Sequence, residues 1–141
     1  MNPKKQRKKK KGDKGITLPS AAQLREKGVK YNCNKGLLNE IRFYGRNRTL
    51  YLPAIEMVHR TDSVLRNLLT FEYYRKETNP LMCYVDLMDR LINGANDVVV
   101  LRSGGIIHSH LGSDDEVADV WNRMRELVDK NRKYEQQIRT N

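Results

Sequence analysis

Leu65-Arg66-Asn67-Leu68-Leu69-Thr70-Phe71-Glu72 and Leu111-Gly112-Ser113-Asp114-Asp115-Glu116-Val117-Ala118 carry most of what this chain says about its fold. In the first stretch the apolar residues recur at helical spacing, so Val64, Leu65, Leu68 and Leu69 make one stripe. In the second, Ser113 and Glu116 form a capping box, and Asp114, Asp115 and Glu116 complement the positive end of a helix dipole. Both stretches read as architecture, one a helix face and the other a capped helix start. Neither reads as a catalytic centre.

Working outward, the first helix is expected over 61–78, capped by Thr61 or Asp62 and stopped by Asn79-Pro80. A second helix starts near Pro80, which suits a first helical turn, and its stripe is Leu81, Tyr84, Val85, Met88, Leu91 and Ile92. So short a link makes these two helices antiparallel neighbours. A short helix from Asp97 to Arg102 ends at Gly104-Gly105. The Ser113-capped helix carries Val117, Val120, Trp121, Met124, Leu127 and Val128 on one face. Asp119–Arg123 and Glu126–Lys130 are spaced to pair on its other face.

Upstream, Ser20-Ala21-Ala22-Gln23 is a second capping box, and Gly28 stops a short helix from Ala21 to Lys27. The period then changes. Ile41 and Phe43 alternate around Arg42, and Leu50 and Leu52 around Tyr51, on either side of Gly45-Arg46-Asn47-Arg48. That pattern predicts a β-hairpin with one buried face, closed at Pro53. The expected fold class is α+β, mainly helical. It comprises one β-hairpin, an antiparallel helix pair and a capped amphipathic helix at the C-terminal end.

At 141 residues the chain is one small domain with a tail. Residues 1–15 hold eight lysines and arginines against Asp13, so they carry +7 of the formal +10. With almost no apolar residue, this segment is expected to be a disordered basic tail, and 16–141 the folded part. Lys4, Lys5, Arg7, Lys8, Lys9, Lys10 and Lys11 suit an anionic surface, whether nucleic acid, lipid or an import receptor. The tail lacks the aromatic platforms that nucleic-acid recognition beyond charge requires, so a nucleic-acid partner is disfavoured. Cys33 and Cys83 are too few for a disulfide scaffold or a zinc module. The longest aliphatic run, Val98-Val99-Val100-Leu101, is far short of the roughly 20 residues of a membrane span.

Candidate chemistry is sparse. His108 and His110 can share one extended face but lack a third ligand at a metal-binding spacing. Helix capping accounts for Asp114, Asp115 and Glu116 without a cation. Glu72 falls on the core face of its helix, where a lone charge is costly. It is either a group of raised pKa or a structural acid paired with Arg, Tyr or backbone N–H, and the lack of a nucleophile in its block favours the second. Asn47-Arg48-Thr49 matches a glycosylation sequon on the hairpin turn, a pattern that arises easily by chance. Ser113, Glu116, Trp121 and Glu72 are therefore read as structural, and no catalytic, cofactor or metal residue is assigned.

Five blocks then form an ordered set. They are Leu18-Pro19-Ser20-Ala21-Ala22-Gln23-Leu24-Arg25-Glu26-Lys27-Gly28-Val29-Lys30, the hairpin end Leu50-Tyr51-Leu52-Pro53, and Arg66-Asn67-Leu68 with Phe71-Glu72. Tyr84 to Ile92 and Leu111 to Ala118 complete it. The set resembles the plant domain-of-unknown-function 247 family over roughly residues 18–130. The resemblance implies a mostly helical soluble region, followed in family members by a membrane helix near the C-terminus. It also implies recognition or signalling, as in grass members associated with pollen–stigma self-incompatibility. It supplies no catalytic residue. Against that pattern the chain looks like a C-terminal-half fragment, with a lysine run where a longer region stands and without the membrane helix.

The reading that follows is a non-enzymatic protein-interaction module without a cofactor. Its partner is a protein segment, the absent N-terminal family region among the candidates. Membrane association is implied only through the helix this chain lacks, with nucleus or cytoplasm as the alternative location. The alternative function is a basic-tailed, nucleic-acid-associated nuclear protein. With few elements to cover every apolar stripe, the long Val117-to-Val128 face among them, a contiguous apolar patch is expected to stay exposed.

Overall fold

The computed structural model describes residues 18–34, 38–75 and 79–140. Helix α1 (Ala21–Glu26) opens on the Ser20 capping box, with Gln23 N–H donating to Ser20 Oγ and Ser20 N–H to Gln23 Oε1. Gly28, at φ +91°, turns the chain out of it through a left-handed conformation that glycine adopts without strain. Strands β1 (Lys30–Asn34), β2 (Arg42–Tyr44) and β3 (Thr49–Pro53) form one sheet in the order β1-β3-β2. The β2–β3 hairpin is antiparallel, with Phe43 opposite Leu50, and β1 runs parallel to β3, with Tyr31 opposite Leu50. Strands β4 (Ile55–Met57) and β5 (Ile107–Ser109) form a second, parallel sheet pairing Ile55 with Ile107.

The fold is α+β and mainly helical, as the periodicity predicts, but it has two small sheets where one hairpin is expected. Strand β1 is too polar to show alternation, and β4 and β5 are three residues each, below the length at which a period registers. The hairpin's buried face also needs correction. Leu52 is buried, yet Phe43 lies exposed on edge strand β2.

The helices are α2 (Thr61–Arg75), α3 (Pro80–Leu91), α4 (Ala95–Ser103) and α5 (Asp114–Thr140). Helix α3 matches its pattern fully, since Leu81, Tyr84, Val85, Met88, Leu91 and Ile92 are all buried. So does the core-facing side of α5. Val117, Val120, Trp121, Met124 and Val128 are buried and Leu127 partly so, so this long face is covered and is not the apolar patch expected to stay exposed. Trp121 packs edge-on against Tyr84, with ring centroids 5.8 Å apart at 87°. That is a favoured geometry for two aromatic quadrupoles. The Tyr84 hydroxyl donates to the Pro53 carbonyl at 3.3 Å and ties α3 to β3.

Helix α2 departs from expectation in two ways. Its N-cap is neither Thr61 nor Asp62, because the Val64 N–H already donates to the Arg60 carbonyl. Thr61 Oγ1 instead accepts from Val58 N–H at 2.8 Å and donates to the Glu56 carbonyl at 3.0 Å, binding the helix start to β4. The second departure is in burial. Leu65 and Leu69 enter the core, while Val64 and Leu68 face out.

Two close approaches fix α4 against α1 and β1. Buried Asp97 accepts from Ala22 N–H at 2.8 Å through one oxygen and from Asn93 and Gly94 N–H through the other. Gly104 lies so near Tyr31 that a Cβ there would come within 2.7 Å of the Tyr31 Cβ, so no side chain fits. Helix α5 is held by one Arg–Asp pair to each of its three helical neighbours: Arg123 to Asp62, Arg125 to Asp86, and Asp114 to Arg102. Arg123, expected to pair with Asp119 along its own helix, thus reaches across to α2.

Candidate protein-interaction surface

Helix α2 presents Val64, Leu68 and Phe71 to solvent, 51%, 48% and 60% exposed, with Tyr74 beside them at 74%. Positions i, i+4 and i+7 stack along one side of a helix, so the first three form a continuous strip. The reason lies in the width of the apolar arc. At about 100° per residue, Phe71, Val64, Leu68, Leu65 and Leu69 span roughly 160°, wider than the ~100° stripe a core-facing helix needs. The core takes the Leu65–Leu69 side, and the other side remains outside. Sequence reading missed this by assigning Val64 and Leu68 to the core; the excess arc was the available signal.

The two carboxylates of α2 are committed elsewhere. Asp62 accepts from Arg66 at 3.2 Å and pairs with Arg123 at 2.9 Å. Glu72, half-buried, accepts from the Leu81 and Met82 N–H groups at 2.8 and 2.9 Å, one to each carboxylate oxygen. It thereby satisfies the first turn of α3, whose N-cap Asn79 makes no side-chain capping bond. Of the partners named from sequence, the geometry shows the backbone N–H. At the end of α2 the Arg75 guanidinium lies 5.6 Å over the centroid of the Phe71 ring, within cation–π range.

The other sequence-derived residues are dispersed. Ser113 Oγ accepts from Glu116 N–H at 3.2 Å at the start of α5, and Trp121 is sealed in the core. The basic residues Lys4, Lys5, Arg7, Lys8, Lys9, Lys10 and Lys11 lie outside the described residues. His108 and His110 line an open groove of about 640 Å3 along β4 and β5, with Glu56 and Arg102. His110 Nε2 is 2.9 Å from Glu56 Oε1, and both side chains are well exposed. Among the described residues no group of three or more His, Cys, Asp or Glu could hold a metal ion. A second groove of about 510 Å3 on the β1-β3-β2 sheet is lined by Asn34, Glu40, Arg42, Tyr44, Asn47 and Tyr51. Neither groove contains Glu72, and Cys33 and Cys83 are free and exposed.

Two tyrosines are perturbed, both structurally. Burial pushes the Tyr84 phenol well above its ordinary range. Burial and, second, the Asp97 charge do the same for Tyr31, whose hydroxyl donates to the Ala21 carbonyl at 2.9 Å. Both stay neutral as packed hydrogen-bond donors, which is an architectural role.

Comparison with known proteins agrees with the ordered blocks. The model of the domain-of-unknown-function 247 family, described as a plant protein of unknown function, matches residues 1–140. The chain belongs to this family. A UPF0481 protein of Arabidopsis thaliana is 34% identical to this family member over 116 residues, 80% of this chain and 22% of the relative. The chain thus spans about a fifth of the length of the curated relative it matches. No solved structure matches it. Among the described residues no helix is long and apolar enough to cross a membrane.

Proposed function

We propose that this member of the domain-of-unknown-function 247 family is a non-enzymatic protein-recognition module that makes contact through the outward face of α2. One observation carries the reading: Val64, Leu68, Phe71 and Tyr74 are all exposed on one helix whose carboxylates are both engaged in holding the fold. An apolar surface on the order of 300–600 Å2 is what a monomer typically carries at a functional place. The strip follows helix-packing spacing, the form in which one protein element recognises another. The partners are protein segments, among them the family polypeptide outside the matched region, which is most of the relative's length. Membrane attachment, in this proposal, comes from a helix elsewhere in a family-length polypeptide.

Co-expression with the Arabidopsis relative's sequence outside the match tests this, read by size-exclusion chromatography with light scattering. A stoichiometric complex is expected, and Leu68→Glu with Phe71→Ser should abolish it while leaving the thermal melt unchanged. A complex indifferent to those substitutions, or none at all, would remove α2 as the contact surface.

A further inference from the structure

Asn47-Arg48-Thr49 is the single Asn-x-Ser/Thr triplet in the 141 residues, and chance places such a triplet anywhere along a chain. The fold puts this one in the turn of the β2–β3 hairpin, just beyond the paired residues Tyr44 and Thr49. Asn47 is exposed. Thr49 is buried, and its Oγ1 donates to the Asn47 carbonyl at 3.2 Å. Between them Arg48 turns the chain at φ +48°, a left-handed conformation uncommon in a residue with a Cβ. The triplet is closed on itself, its threonine inside and its asparagine in solvent. Asn47 also lines the open groove of about 510 Å3 on the β1-β3-β2 sheet. Tyr44 stands opposite Thr49, and Tyr51, two residues further along β3, shares that face by strand alternation. Their rings meet edge to face inside the groove, with centroids 5.3 Å apart. Arg42 and Glu40 add planar polar groups to the lining. A pyranose turns a C–H face to an aromatic ring and its hydroxyls to such groups, and the volume is of the size that takes a small ligand. Strand β2 gains from cover as well. It is a three-residue edge strand with Phe43 and Tyr44 exposed, and an open edge invites pairing with another chain.

We propose that Asn47 is an N-glycosylation site and that the first sugars of its oligosaccharide lie in this groove against Tyr44 and Tyr51. In the transfer, the side-chain amide nitrogen of Asn47 attacks the anomeric carbon of an oligosaccharide carried on a polyprenyl diphosphate. A nitrogen–carbon bond forms and the carbon–oxygen bond to the diphosphate breaks. The amide gives one proton to a base of the transferase, and the lipid diphosphate leaves. Donor and transferase act in the secretory lumen, so a glycan at Asn47 sets this domain on the luminal side of a membrane. The bulky hydrophilic chain then shields edge strand β2 one turn away. Neither α2 nor the basic tail takes part, so this assignment stands apart from the reading of α2.

The test takes the protein from the plant tissue that makes it, with an antibody raised against this chain. A peptide N-glycosidase active on plant glycans is applied in heavy-oxygen water, which leaves a labelled aspartate wherever an asparagine carried sugar. Chymotrypsin then releases the peptide, since trypsin would cut at Arg46 and Arg48 on either side of Asn47. Labelled aspartate at position 47 is expected. Asparagine there in all the protein recovered would overturn the proposal. A second arm expresses the full chain behind an added secretory signal in plant cells. One glycosidase-sensitive step in gel mobility is expected, lost in Asn47→Gln and kept in Thr49→Ser. No step in the unsubstituted chain, or a step that survives Asn47→Gln, would overturn the assignment as well. The seat of the sugars is read from thermal melts of the secreted chain before and after deglycosylation. Removing the glycan should lower Tm, and most of that difference should vanish in Tyr44→Ser and persist in Tyr44→Phe, which keeps the ring. A difference untouched by Tyr44→Ser would put the sugars outside the groove and sink that half of the proposal.

Discussion

Glu72 shows how one residue's burden is visible in a sequence while its solution is not. A carboxylate on the inner side of α2 needs donors, and the donors prove to be the Leu81 and Met82 N–H groups, nine and ten residues along the chain. Glu72→Ala should destabilise the chain by about 1.5–3 kcal/mol, the cost of losing charge-assisted bonds at a helix start, read from urea unfolding. Glu72→Gln, which keeps one acceptor, should cost less. Equal losses would show that side-chain packing, not the two bonds, is what Glu72 contributes. Tyr84 makes a second residue-level prediction. Its folded pKa is raised by burial, so the folded state holds the proton after the unfolded chain has released it. Its contribution to stability is therefore complete below the ordinary phenol value of about 10 and is lost as pH rises beyond it. Tyr84 adds at most about 1.4 kcal/mol per pH unit to the slope, beside a share from Tyr31, so Tyr84→Phe should lower the slope without abolishing it. An alkaline loss unchanged in Tyr84→Phe would place the titration elsewhere.

Helices α3 and α5 were legible because the residues of their stripes span about 120° each, an arc the core covers in full. Helix α2 was legible as a helix and misread as a face, because Val64 and Leu68 continue the arc past the part the core can cover. The β4–β5 pairing was beyond reach: Ile55 meets Ile107 across most of the helical region, and three-residue strands carry no register signal. The candidate surface was accordingly anticipated as an exposed apolar patch but not located. The placement of α5 was equally hidden, since its arginines choose acids on α2 and α3. Those choices are unequal in energy. Arg125 is only 12% exposed where it meets Asp86, whereas Arg123 is 47% exposed at Asp62. Asp86→Ala leaves a largely buried guanidinium with only the half-exposed Asp129 of its own helix, 3.3 Å away, and should cost about 2–3 kcal/mol. Asp62→Ala should cost at most about 1 kcal/mol and less at high salt. Calorimetric melts of the two variants decide it, and similar shifts would mean that burial does not set the worth of these pairs.

At the scale of the whole molecule two features favour association with other matter, and they answer to different physics. The outward face of α2 is apolar, so its attraction persists in salt and grows with salts that strengthen burial. The first fifteen residues carry +7 of the chain's +10, so their attraction to polyanions falls with salt through counterion release. Salt should therefore separate them in one protein. Binding of a hydrophobic dye should hold steady or rise as sodium sulfate is added and should drop in Leu68→Glu with Phe71→Ser, whatever the state of the tail. Binding of a random-sequence DNA duplex should collapse over the same range of ionic strength and should vanish on deletion of residues 1–15, whatever the state of α2. The body that remains has a charge of only +3, too small to sustain non-specific DNA affinity at physiological salt. Sequence-specific DNA binding retained by residues 16–141 would reverse the ranking and make nucleic acid, not protein, the partner to pursue. Dye binding that tracked the tail instead of α2 would show that the exposed strip is closed over in solution, and the recognition face would then have to be sought on the outer side of the β1-β3-β2 sheet.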